Sequence, residues 1–346
     1  MTIKTFSECL AIAEKSNSPK KHLMLGNGFS ISLFPRIFNY KTLSENIESE
    51  KMKDLFKSIG TYDFEFVMRR LLETIDILQH YDAAEIISDH ISNDIEELKQ
   101  TLIQVISIAH PPKPSEITDD QYNSCREFLI NFDGGKIYTF NYDLLLYWVH
   151  MHFMDSPQLK LKCDDGFRYP YQDDNQTIEE RDTSLHWEIG MEQKQSVYYI
   201  HGAMHIFSDG SDIEKLSYSR TGIPLAEQVK GSIAQNKFPV FISEGTTSHK
   251  LSRIKKNGYL SRTFSSLKGI TGNLFIFGHS IRDEDNHVFD FINHNNHKLA
   301  IFIGIFGDLE QEHNKKIINK VELWRENFPK KKFEIYDAST VNVWNK

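Results

Sequence analysis

His22-Leu23-Met24-Leu25-Gly26-Asn27-Gly28-Phe29-Ser30 is the stretch from which the fold is read. Leu23 to Leu25 make a short apolar run of the kind a buried strand requires, and Gly26 and Gly28 interrupt it. Ser30 follows where a helix N-cap is expected. Strand, glycine turn and helix start is a layout that holds a phosphate. Glycine admits a close backbone, and free N–H groups at a helix start attract negative charge. The dehydrogenase fingerprint is incomplete, because Ile31 stands at its third glycine. Glu45 and Glu48 fall in helical text, not at the end of a second strand where a ribose-binding acid belongs. Taken alone, the run is equally well a bare structural turn.

Outward from this stretch the text is first helical. Thr5 to Lys15 has the pattern of a short amphipathic helix. From Thr42 to His110 apolar residues recur at three- and four-residue steps, as in Phe64, Val67, Met68, Leu71, Leu72, Ile75 and Leu78. Two or three long helices are expected there, ended by Pro111, Pro112 and Pro114. A further helix spans about Asp119 to Phe132. Strands and helices then alternate. Strands are expected at Lys136–Phe140, Val197–Ile200, Pro239–Ser243, Leu274–Phe277, Leu299–Ile305 and Lys332–Tyr336. Helices are expected at Tyr142–Phe153, Pro224–Asn236, Asp285–Asn293 and Asp308–Asn327, with more helix from the strand at Pro239 through Lys268. Ala203–Phe207 reads as a hairpin partner of Val197–Ile200, and Asp155–Gly190 as a polar surface excursion. The alternation implies an α/β fold: a Rossmann-like parallel sheet with helices on both faces. Residues 42–132 form a helical insertion within a single domain spanning 1–346.

Composition narrows the function classes. With 346 residues the chain can bury a large core. A net charge of −8 argues against non-specific nucleic-acid binding, which needs a basic footprint. Cys9, Cys125 and Cys163 are too few and too scattered for a disulfide framework or a four-cysteine zinc site. No signal peptide and no membrane span is read, so a cytoplasmic protein is expected.

Ligands of open parallel sheets bind at the carboxyl ends of the strands. Those ends here carry Gly26-Asn27-Gly28-Phe29-Ser30, Thr139-Phe140-Asn141-Tyr142-Asp143, His201-Gly202, Ser243-Glu244-Gly245-Thr246-Thr247, and Gly278-His279-Ser280 followed by Arg282-Asp283-Glu284-Asp285. Each has a plain structural alternative. Asn141 suits a helix N-cap, Asp143 a first-turn acid, and Asp283 and Asp285 the same for the next helix. His201 suits a hydrogen-bonded strand end. The pairs His150 with His152, His201 with His205, and His294 with His297 have no cysteine or third ligand nearby, so no metal is expected.

Taken in order, these strand ends resemble the sirtuin family, and more closely the bacterial sirtuin-like proteins of defence systems. Gly26, Gly28 and Ser30 match the family's Gly-Ala-Gly-x-Ser, with Asn27 in place of alanine. Thr139, Asn141 and Asp143 match Thr-Gln-Asn-x-Asp, with Phe140 in place of glutamine. His201-Gly202 matches the catalytic His-Gly, and Gly278 and Ser280 match Gly-Thr-Ser, with His279 between them. The family's four-cysteine zinc module has no counterpart, since no cysteine lies between His201 and Gly278. Relatives without that module are typically NAD-consuming hydrolases of anti-phage defence. The resemblance thus implies an NAD+ glycohydrolase yielding nicotinamide and ADP-ribose. Asn141 and His201 would be catalytic. Gly26, Asn27, Gly28, Ser30, Thr139, Asp143, Gly278, His279 and Ser280 would bind NAD. Asn141 would both donate and accept hydrogen bonds, fixing a ribose hydroxyl and the attacking water. His201, titrating near neutral pH, would be general base. The resemblance also implies a homo-oligomer or a co-encoded sensor or activator. Protein deacylation or ADP-ribosyl transfer, and a non-catalytic nucleotide-sensing module, are the other two readings.

Overall fold

A computed structural model describes residues 3–345 except 39, 82–83, 170–183, 188–189, 191–193, 210–211, 243–246, 296 and 298. Among these residues the strands in chain order are β1 (Lys4–Thr5), β2 (Lys21–Leu25), β3 (Ile137–Thr139), β4 (Leu185–Trp187), β5 (Val197–Tyr199), β6 (Gly202–Asp209), β7 (Asp212–Lys215), β8 (Pro239–Phe241), β9 (Gly272–Phe277), β10 (Leu299–Ile305) and β11 (Lys332–Asp337). Seven of them form a wholly parallel sheet in the order β1-β11-β10-β9-β2-β3-β5. Helices flank this sheet, so its strands are covered on both faces and consist of near-continuous apolar text. Every residue of β9 is buried.

The strand order decides where a ligand can sit. From β2 the chain adds β3 and β5 on one side, then β9, β10 and β11 on the other. The order reverses between β2 and β9, and such a reversal opens a crevice at the carboxyl ends of the two strands. Lys21 faces Asn273 and Leu25 faces Phe277 across this central pair.

The described part of the insertion between β2 and β3 holds helices Tyr40–Glu45, Glu50–Ile59, Phe64–Leu78, Ala84–Ala109 and Asp119–Ile130. The text predicts fewer and longer helices before Pro111. Breaks come where local chemistry supplies them. Gly60 takes φ 75° and ends Glu50–Ile59, and Asp63 caps Phe64–Leu78 by accepting from the Glu65 and Phe66 amides. Thr5 with Glu8, and Thr118 with Gln121, form capping boxes at helices Phe6–Glu14 and Asp119–Ile130.

Three expectations are corrected. Ala203–Phe207 is no hairpin partner of β5, and the strand at Pro239 does not join the parallel sheet. Both belong to a second, antiparallel sheet in the order β4-β7-β6-β8. The excursion after Asp155 is not wholly on the surface, because it contributes β4 and buries Phe167 and Trp187. The strand end Ser243–Thr246 lies outside the described residues.

Candidate active site

The loops that follow β2 and β9 meet directly. Gly26 N donates to Phe277 O at 2.9 Å, and Gly28 N donates to Gly278 O at 2.8 Å. A β-carbon at Gly28 would lie 2.6 Å from the Gly278 Cα, and one at Gly26 would lie 2.5 Å from the Gly278 oxygen. Gly278 itself takes φ 69°. The glycines are therefore needed for one loop to touch the other. The amides of Gly26 and Gly28 are already committed, so they do not face a phosphate. Asn27, Gly278, His279 and Ser280 line the cleft, and no described residue accepts from the backbone amides of Asn27, His279 and Ser280.

Ser30 is not an N-cap. It lies inside the single turn Gly28–Ile31, fully buried. Its hydroxyl donates to Asp143 Oδ2 at 2.5 Å and accepts from Asn141 Nδ2 at 2.8 Å. Thr139, also buried, accepts from the Asn141 backbone amide at 3.0 Å. These two residues hold Asn141 in place and do not line the cleft. Asn141 is likewise no N-cap: helix Leu145–His152 starts beyond it, and Asp143 Oδ1 accepts from the Leu145 amide at 2.9 Å. Burial pushes the Asp143 carboxyl up, with Ser30 and the Leu145 amide opposing that shift. Asn141 Oδ1 is buried and has no hydrogen-bond partner among the described residues.

His201 ends the short run after β5, and Gly202 beside it takes φ 88°. A β-carbon at Gly202 would meet the Val240 oxygen at 1.9 Å, so only glycine lets β6 depart there. The ring of Phe140 packs edge-on against His201, at 5.0 Å between centroids, and lies 4.2 Å from His279. His201 Nε2 meets His287 Nε2 at 2.9 Å. His287 Nδ1 lies 3.2 Å from the Glu284 carbonyl. Burial and the Lys250 ammonium hold the His201 pKa well below its ordinary value. The expectation that this histidine titrates near neutral pH is therefore corrected: it is neutral there.

A chain of charge runs behind the two histidines. His279 Nε2 lies 3.3 Å from Asp285 Oδ2, and Lys250 Nζ lies 3.3 Å from Asp285 Oδ1 and 3.1 Å from Glu65 Oε2. Burial raises the Glu65 carboxyl to about 7. Asp285 makes no cap bond to the helix after it, so its first-turn reading gives way to this pairing. Among the described residues, His201, Asp285 and His287 are grouped with metal-ligand spacing. Two ligand nitrogens around one zinc ion stand about 3.3 Å apart, given bonds of about 2.0 Å in a tetrahedron. The 2.9 Å contact is a hydrogen bond instead, and Lys250 already supplies a cation to Asp285. The group fits a hydrogen-bonded network better than a metal centre. His205, paired with His201 in the sequence reading, packs between Tyr147 and Tyr199 away from it.

The insertion roofs the cleft with Leu43, Glu65, Leu102 and Ile106. The cleft holds about 890 Å³ of free space counted out to its mouth. Asp63 pairs with Arg282, and Arg69 pairs with Glu284 at 2.5 Å, so ion pairs tie helix Phe64–Leu78 to the loop after β9. Glu65, Lys250 and His287 are not singled out by the sequence, and Asp285 stands there only in a strand-end run with a first-turn alternative. Glu65 and Asp285 look there like ordinary first-turn acids, and Lys250 like a helix surface lysine.

The reversed strand order and the cleft at its switch point define a Rossmann-like α/β protein with a helical insertion over the site. The chain belongs to the family described as a domain of unknown function (DUF4917), which matches residues 23–344. No curated protein matches it. No described helix is long and apolar enough to cross a membrane.

Proposed function

We propose that the protein is an NAD+ glycohydrolase. The observation that carries the reading is the Asn141 side chain in the wall of the switch-point cleft. Its Nδ2 is spent on Ser30, and its buried Oδ1 is left without a partner among the described residues. A buried acceptor without a donor costs about 1–3 kcal/mol, which a ligand hydroxyl or a bound water offsets. The ribose of a dinucleotide lying across the switch point supplies such a hydroxyl, and the amides of Asn27, His279 and Ser280, which have no acceptor among the described residues, suit its pyrophosphate.

In the proposed reaction, water attacks the anomeric carbon of the nicotinamide ribose. The C–N glycosidic bond breaks, and its electron pair neutralises the pyridinium of the leaving nicotinamide. His201, neutral at physiological pH, takes the proton from water, and ADP-ribose remains. Leaving nicotinamide needs no acid, so a single base suffices. Phe140 and the apolar roof residues Leu43, Leu102 and Ile106 keep other water from the reacting centre. The same proposal includes NAD depletion in anti-phage defence in the cytoplasm. It also includes control by self-assembly or by a co-encoded sensor. The defining experiment incubates the purified protein with NAD+, alone and with an acylated peptide, and follows nicotinamide. Release without peptide supports hydrolysis. Release only with peptide supports deacylation, and NAD+ binding without turnover in any assembly state supports a sensing module.

A further inference from the structure

We propose that His287 is a positioning residue that fixes the His201 tautomer, so that the proton-accepting atom of the site is His201 Nδ1. The inference rests on the hydrolase reading for its kinetic consequence, but its structural half stands alone.

The argument follows the protons. His287 Nδ1 lies 3.2 Å from the Glu284 carbonyl oxygen. A carbonyl only accepts, so Nδ1 carries the His287 hydrogen. Burial lowers the His287 pKa to about 4, so the ring is neutral and its Nε2 bears a lone pair. That lone pair faces His201 Nε2 at 2.9 Å. One of the two nitrogens must donate, and His201 Nε2 is the one that can. Neutral His201 then has its lone pair on Nδ1. No described residue bonds to Nδ1, and His201 lines the cleft. The packing fixes the pair as well as the hydrogen bond does. The two imidazoles lie edge to edge and nearly coplanar, with centroids 5.1 Å apart and 15° between planes, Phe264 lies near-parallel to His287 at 5.8 Å, and Phe140 meets His201 edge-on.

The second tautomer-setting contact has the opposite sense. His279 Nδ1 accepts from the Ile281 amide at 2.9 Å, so His279 Nε2 carries hydrogen and donates to Asp285 Oδ2. Asp285 Oδ1 stands 4.0 Å from His201 Nε2. When Nδ1 takes a proton, positive charge appears on a ring already hydrogen-bonded to His287 and close to this carboxylate. Asp285 opposes that charge, and His287 keeps the ring from turning over.

The test compares His287→Phe with His287→Gln. Phe keeps an aromatic ring against Phe264 and removes the acceptor, whereas Gln returns an acceptor oxygen near the position of Nε2. Two readouts are used: imidazole ¹⁵N shifts of His201, which report the tautomer without substrate, and nicotinamide release. The wild-type ring is expected with hydrogen on Nε2. His287→Phe should mix or invert the tautomers and lower kcat by about a hundredfold to ten-thousandfold, the range that loss of a tautomer-setting partner produces elsewhere. His287→Gln should restore most of both. A wild-type His201 with hydrogen on Nδ1, or unchanged shifts in His287→Phe, overturns the inference. Correct shifts and correct variant behaviour in a protein that never hydrolyses NAD+ would sustain the positioning role and remove the hydrolase reading.

Discussion

The Asn141 amide is held by Ser30: Nδ2 gives its hydrogen to the serine oxygen at 2.8 Å, while the serine gives its own to Asp143 at 2.5 Å. One hydroxyl thus orients both an amide and a carboxylate. Asn141→Ala should lower turnover by about a hundredfold to ten-thousandfold through lost orientation of the reacting water. Asn141→Asp should do so as well and also lose stability, because Ser30 has one hydrogen for two facing carboxylates. The new carboxyl should have a raised pKa in the folded protein, so the stability deficit should widen as pH rises from 5 to 8. Thermal midpoints across that range check this, and a midpoint equal to wild type at pH 8 would refute the hydrogen-bond assignment.

The two loops at the switch point predict different outcomes for two substitutions. Gly28→Val forces a β-carbon against the Gly278 Cα at 2.6 Å, so it should cost stability as well as NAD+ affinity. It is therefore a poor test of binding. Ser280→Asp is a better one, because Ser280 is exposed at the cleft. A negative charge there should weaken NAD+ by about tenfold or more with an unchanged thermal midpoint, since like charges meet across the site. Equal affinity by calorimetry would place the pyrophosphate elsewhere.

Acid should unfold the protein steeply. His22, His110, His201, His205 and His287 are buried, and burial lowers each pKa below its ordinary value of 6.5. The unfolded chain takes up these protons near 6.5, whereas the folded chain resists until about pH 4 or below. Stability is therefore full above about 6.5 and lost as pH falls toward 4, at about 1.4 kcal/mol per pH unit for each such histidine. Glu65 works against this trend. Its folded pKa of about 7 exceeds the unfolded value, so its own contribution shrinks as pH rises from about 4.5 to 7. Urea midpoints at pH 7.5, 6 and 5 should fall in that order, and a flat profile would contradict the burial of these rings.

Trp344 reaches back to the first loop. Its Nε1 donates to Phe29 O at 2.8 Å, and its ring lies 4.9 Å from that of Phe29. Trp344→Ala should cost about 3–5 kcal/mol, as for a large buried ring. Denaturant titration measures it, and a loss under 1 kcal/mol would mean that this segment is held by other contacts.

What the sequence discloses about this fold depends on range. β2, β9 and β10 are legible because strands buried on both faces are written as unbroken apolar runs, and Gly26 and Gly278 mark their ends. β6 and β8 are misplaced because Ala203–Phe207 and Pro239–Phe241 are equally apolar. Nothing within them tells a parallel from an antiparallel partner. The sequence places Asn141 after a strand, but its bond to Ser30 is not legible there, because that partner lies 111 residues away. Glu65 and Lys250 meet across 185 residues, and each looks like an ordinary helix charge in its own neighbourhood.

The loop at Gly26–Ser30 has consequences for synthesis. It lies far upstream of Gly278 and Trp344, which give it its shape. Pairing across so long a separation forms late, after the loop-closure entropy is met. On a ribosome the first residues of the cleft emerge well before their supports. A nascent chain ending short of β9 therefore has no cleft, and one ending short of Trp344 has an unanchored loop. If the protein destroys NAD+, this order keeps each new copy harmless to the cell that makes it until β9 and Trp344 have been made.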